Sequence, residues 1–125
     1  MNYGMTREEA LALVRDRLQS PNLVNHCLAT EAVMRALAPR FGVDPEMWGL
    51  AGLLHDLDAE SQPYLATHTL EAATILEEKG VAPEIIEAIG MHNEAAQGGR
   101  RRQEAFHHAL AAGETITGLI VATAL

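Results

Sequence analysis

Apolar positions recur at helical intervals along most of the chain. Leu11, Val14 and Leu18 form one stripe behind a T-x-x-E capping box at Thr6 to Glu9, which predicts a helix over about 6–19. Ser20-Pro21, a cap residue followed by proline in the first turn, restarts the chain. A second helix is expected from there to about residue 40, with Pro39 as a late kink or stop and Gly42 closing it. His26, Thr30, Val33 and Leu37 share a face of it. Asp44-Pro45 repeats the cap-and-proline start for a third helix, about 45–55, and its apolar run from Trp48 to Leu54 breaks off in His55-Asp56. Residues 57–66 read as a loop or broken turn. Thr67 is the expected cap of a fourth helix over 68–79, with His68, Ala72, Ile75 and Leu76 along one side and Gly80 as its stop. Pro83 opens a fifth, to about 93, on which Ile85, Ile89 and His92 face one way. A flexible basic loop, Gly98 to Arg102, leads to a sixth helix from about 103 to near the C-terminus. This last helix puts Leu110, Glu114 and Thr117 on one side and ends in the apolar GLIVATAL.

Composition supports an all-α fold of about six helices. Alanine and leucine are abundant, aromatic residues make up 4%, and β-branched runs are short. With 125 residues the chain is expected to form a single domain, 1–125, around one core. Seventeen acidic against nine Lys and Arg residues give a net charge of −8, which argues against a general nucleic-acid or membrane-surface binder. The single cysteine, Cys27, excludes an intrachain disulfide and points to a reducing compartment; no signal pattern opens the chain, so a cytoplasmic location is expected. No apolar stretch reaches the ~20 residues a membrane span needs.

Within this pattern six ionisable residues fall on otherwise apolar faces: His26, His55, Asp56, His68, His92 and Glu114. Imidazole nitrogens and carboxylate oxygens together suit a divalent transition metal, Mn, Fe, Co, Ni or Zn, better than an all-oxygen magnesium site. Neighbours on a helix point ~100° apart. His55 and Asp56 can therefore share an ion only at a helix end, and the change to LDAESQP supplies one. The bland readings weigh on other residues. Cys27 is a small buried filler, Met47 and Trp48 belong to the core, Arg100 to Arg102 form a solvated loop rather than a phosphate clamp, and His107 and His108 are exposed.

His26, then Gly52-Leu53-Leu54-His55-Asp56, Thr67-His68-Thr69-Leu70, Met91-His92-Asn93 and Ala111-Ala112-Gly113-Glu114-Thr115-Ile116-Thr117-Gly118 resemble the HD-domain (HDIG-type) metal-dependent phosphohydrolase superfamily, in the order H…HD…H…H…D, over about residues 22–122. The resemblance implies a helical bundle with a central metal site. It implies that His26, His55, Asp56 and Glu114 ligate one metal, and that His68 and His92 are the further histidines of two-metal members, with Asp56 bridging. Asp56, His68 and His92 are the residues it assigns to catalysis. Two departures stand out. Glu114 replaces the family's final aspartate, and Ala59 occupies the place of the lysine of H-D-x-x-K, with Asp58 and Glu60 on either side. The implied function is hydrolysis of a phosphomonoester or phosphodiester, in a nucleotide or related small metabolite, by metal-activated water. A two-iron oxygenase of the same superfamily and a non-catalytic ligand-binding domain share the pattern. The apolar end of the sixth helix is expected to mark either a missing C-terminal extension or a surface for a second copy of the chain.

Overall fold

The computed structural model describes residues 2–64 and 66–124, with side chains as far as Gly118. Among them there is no strand. The helices are α1 (Arg7–Arg17), α2 (Pro21–Leu37), α3 (Pro45–Leu54), α4 (Leu70–Glu78), α5 (Pro83–Met91) and α6 (Ala105–Ala124), with short 3-10 turns at Ala38–Phe41 and Glu94–Ala96. The expected all-α bundle is therefore the fold. The apolar tail beyond Gly118, with any role in self-association, lies outside the described side chains.

The starts and stops follow local chemistry. Thr6 accepts from Glu9 N–H while Glu9 accepts from Thr6 N–H, the expected capping box. Ser20 and Asp44 cap α2 and α3, each with proline in the first turn. Pro39 ends α2 at Leu37, three residues before the expected end near residue 40, and the chain tightens into a 3-10 turn that Gly42 closes at φ +68°.

Helix α3 lies at the centre, its residues from Trp48 to Leu54 all buried. It packs most extensively against α2, then α5, α1 and α6. Trp48 stacks on Phe106 of α6 with ring centroids 5.2 Å apart. The α2–α3 crossing is close because Gly52 has no side chain. A Cβ there would stand 2.8 Å from Thr30 O and 2.9 Å from Glu31 N, both backbone atoms. Gly52→Ala is expected to cost about 1–3 kcal/mol through forced separation of the helices, despite alanine's better helix propensity. An unchanged urea midpoint in that variant would show that the crossing tolerates the added carbon.

The fourth helix departs from its sequence reading. It begins at Leu70, not at residue 68, and Thr67 does not cap it. The residue in the cap position, Thr69, has φ +82° and makes no cap bond with its own side chain. A β-branched residue in the left-handed region is strained. The compensation comes from the preceding turn. Asp58, 1% exposed, accepts from Thr69 N–H through both oxygens (3.1 and 2.8 Å) and from Ala72 N–H at 3.0 Å. A carboxylate from elsewhere in the chain thus satisfies the first turn of α4, where the helix dipole also favours negative charge.

Candidate metal centre

His55 and Asp56 follow directly on the last turn of α3, where the backbone leaves the helix. This exit lets adjacent side chains point at one place. His26 comes from the middle of α2, His68 from the turn before α4, and His92 from the C-cap of α5. His55 is fully buried, while His26 and Asp56 are 7% and 8% exposed.

The two oxygens of Asp56 face two pairs of imidazoles. Oδ2 lies 3.4 Å from His26 Nε2 and 3.4 Å from His55 Nε2. Oδ1 lies 3.0 Å from His68 Nε2 and 3.7 Å from His92 Nε2. Within each pair the Nε2 atoms are close, 3.0 Å for His26–His55 and 3.2 Å for His68–His92. His26, His55 and Asp56 form one group able to hold a cation, and Asp56, His68 and His92 form a second.

Proton positions decide what those contacts are. His55 Nδ1 is 2.7 Å from Gly52 O, and His92 Nδ1 contacts Ile89 O. A carbonyl only accepts, so both Nδ1 atoms carry hydrogen. Thr30 Oγ1 donates to His26 O at 2.8 Å, lies 2.7 Å from Thr117 Oγ1, and Thr117 Oγ1 lies 3.3 Å from His26 Nδ1. Thr117 Oγ1 donates to Glu114 O at 3.2 Å, which leaves it as the acceptor of His26 Nδ1–H. His68 Nδ1 sits 2.8 Å from Asp58 Oδ1. His26, His55 and His92 then present lone pairs at Nε2, whereas His68, with a carboxylate beside each nitrogen, carries hydrogen on both in the metal-free protein. Lone pairs facing each other at such separations repel, unless a proton or metal ion lies between them. Nitrogens held about 2.0–2.1 Å from one ion stand about 2.8–3.4 Å apart at octahedral or tetrahedral angles, and both pairs meet that spacing. The residues present fit a transition-metal centre, and the Nδ1 contacts are of the kind that orient histidine ligands.

Glu114, on α6, is at the rim. Its Oε1 comes within 4.0 Å of His26 Nε2, but it belongs to neither close group, and its side chain is 28% exposed. Five of the six candidate residues are thus brought together, with Glu114 beside them.

A family model of the HD domain matches residues 23–124. The chain belongs to the HD-domain family. Members of that family are in general metal-dependent phosphohydrolases, and they bind divalent metals. Ribonuclease Y of Opitutus terrae is similar over 74 residues at 28% identity, 58% of this chain and 14% of that protein. The chain thus spans about one seventh of that relative's length. No solved structure matches. No helix among the described residues is long and apolar enough to cross a membrane.

In this HD domain three further residues support the candidate ligands. Asp58 holds both His68 and the strained turn behind it. Thr117 faces His26, and its place on one side of α6 with Glu114 was readable from spacing alone. Arg102 is a correction to the expected solvated loop: its guanidinium donates to Met91 O (2.7 Å) and His92 O (2.8 Å), capping the end of α5 that presents His92. Arg101 is exposed, as expected, and the exposed Arg100 pairs with Glu87. Cys27, Met47 and Trp48 belong to the core or pack against it, again as expected. His108 is exposed, but His107 is 3% exposed, contrary to expectation, because it lies on the same face of α6 as Leu110.

Burial pushes the His55 imidazole down to about 4, with neighbouring Asp56 opposing. Burial also works against a charged His68, but Asp56 and Asp58 outweigh it and raise this ring to about 9. For Asp56 itself burial works against ionisation, and His55, His68 and His92 more than compensate, holding the carboxyl well below the ordinary range. In metal-free protein, His55 is unprotonated in the native state while the unfolded chain takes up a proton below about pH 6.5. Stability therefore falls from pH 6.5 to 4, by up to about 3 kcal/mol from this residue. His68 acts in the opposite window: its contribution is present below pH 6.5 and lost as pH rises through about 9. Urea midpoints of chelator-treated protein are expected to peak near pH 6–7. A midpoint that stays flat between pH 4 and 6.5 would contradict the burial of an unprotonated His55.

Proposed function

We propose that this HD domain hydrolyses a phosphomonoester or phosphodiester of a nucleotide or related small metabolite, using one or two divalent transition-metal ions at His26, His55, Asp56, His68, His92 and Glu114. The observation that carries the reading is the convergence of four imidazole Nε2 atoms on the two oxygens of one buried carboxylate. A bound divalent cation lowers the pKa of coordinated water from ~15.7 toward ~7 and neutralises phosphoryl charge. The chain's own residues hold and orient. Asp56 serves both groups, and Gly52 O, Ile89 O, Thr117 and Asp58 keep the rings aimed. The name of the similar Ribonuclease Y keeps phosphodiesters in the substrate class. A net charge of −8 disfavours a long polyanion and favours a small phosphorylated substrate.

The position of Glu114 outside both close groups favours a second reading, a domain that binds metal and a phosphorylated ligand without turnover. The test is a panel of nucleotides, cyclic nucleotides and small phosphoesters, assayed with Mn, Fe, Co, Ni and Zn and with dissolved oxygen monitored. Phosphate release with one cation selects the hydrolase. Metal-bound protein inert on the whole panel selects the non-catalytic reading, and oxygen consumption by the iron-loaded form selects the oxygenase.

A further inference from the structure

We propose a second cation site on this chain, formed by Glu87 of α5, Glu104 just before α6 and His107 in its first turn, which takes a divalent transition metal such as zinc. Its members share no residue with the central groups. Each offers a ligand atom within a common small radius: His107 Nε2 is 3.1 Å from Glu104 Oε2 and 3.8 Å from Glu87 Oε1. The second, independent sign is His107 itself. Its ring is 3% exposed, and both its nitrogens are buried without a hydrogen bond. An imidazole that gives up water on both edges normally gains a partner. Here Nε2 instead lies beside two carboxylates, on the wall of a cavity of about 160 Å³ that Glu87, Arg100, Arg101 and Glu104 also line.

One imidazole and two carboxylates are a donor set for zinc, manganese or cobalt, with coordination positions left for water. The carboxylates are mobile enough to close on an ion, since their side chains are 42% and 68% exposed. Arg100 now pairs with Glu87 Oε1 at 2.8 Å and would be released from that oxygen. The cation would tie α5, which presents His92 at its far end, to the start of α6 across the intervening basic loop.

The chelator-stripped 125-residue chain is titrated with Zn²⁺, counting equivalents by calorimetry and elemental analysis. The wild type is expected to take up one equivalent more than Glu104→Gln and His107→Gln, or to hold that equivalent at least about tenfold more tightly. Glu104 is exposed, so its variant folds whatever His107→Gln does. Central-site equivalents and any phosphoesterase activity should be the same in wild type and Glu104→Gln. Equal uptake and affinity in wild type and Glu104→Gln would overturn the proposal and leave the central site untouched. Then His107 is only a buried imidazole beside surface acids.

Discussion

Asp56→Ala is expected to abolish metal retention at the central site and to lower any hydrolysis by about 10³-fold or more. The carboxylate faces His26 and His55 through one oxygen and His68 and His92 through the other. Its removal takes the shared anion from both groups at once. Loss of metal-based charge stabilisation is worth several kcal/mol, and each 1.36 kcal/mol is tenfold in rate. The fold should survive, because the core of α2, α3, α5 and α6 does not use this carboxylate. Circular dichroism, metal content and kcat/KM together check the prediction. A folded Asp56→Ala protein that keeps its metal and its activity would remove Asp56 from the chemistry.

Asp58→Ala is expected to be the most damaging substitution outside the proposed ligands. It removes three hydrogen bonds to the first turn of α4 and the carboxylate beside His68 Nδ1. Loss of a helix cap costs about 0.5–2 kcal/mol, and unsupported strain at Thr69 adds about 1–3 kcal/mol. The total is about 1.5–5 kcal/mol. Loss of a residue that orients a metal-binding histidine typically lowers metal affinity 10–100-fold. The two effects separate in Asp58→Ala/Thr69→Gly. Glycine accepts positive φ, so urea stability should recover in part while metal affinity stays low. Wild-type affinity in Asp58→Ala would show that His68 needs no such support.

The fold was legible because this chain states its helices locally. Thr6, Ser20-Pro21, Asp44-Pro45 and Pro83 mark starts by caps and prolines whose chemistry does not depend on the rest of the molecule. The central site was legible for a related reason. His26, His55, His68 and His92 each interrupt an apolar face, and the helix exit at His55-Asp56 was implied by the polar change that follows. The bonds made at a distance were not legible. Nothing near Asp58 in sequence says that it will cap a helix starting twelve residues later, so Thr67 looked like the better cap. Arg102 sat among arginines in a glycine-rich loop and gave no sign that it would turn onto the carbonyls of α5. His107 was expected to be exposed, with His108, because neither falls at a ligand position of the resemblance, yet the face of α6 that it shares with Leu110 is the buried one. Glu114 marks the limit of the pattern: the residue type was readable, but its stand-off from the close groups is a matter of helix position.

The most direct test of the central claim is a count of Zn²⁺ taken up by chelator-stripped Glu104→Gln protein, in which the peripheral cluster no longer contributes. The account predicts one or two equivalents per chain, all lost on adding Asp56→Ala. Uptake below one equivalent, or uptake unchanged by Asp56→Ala, would contradict it.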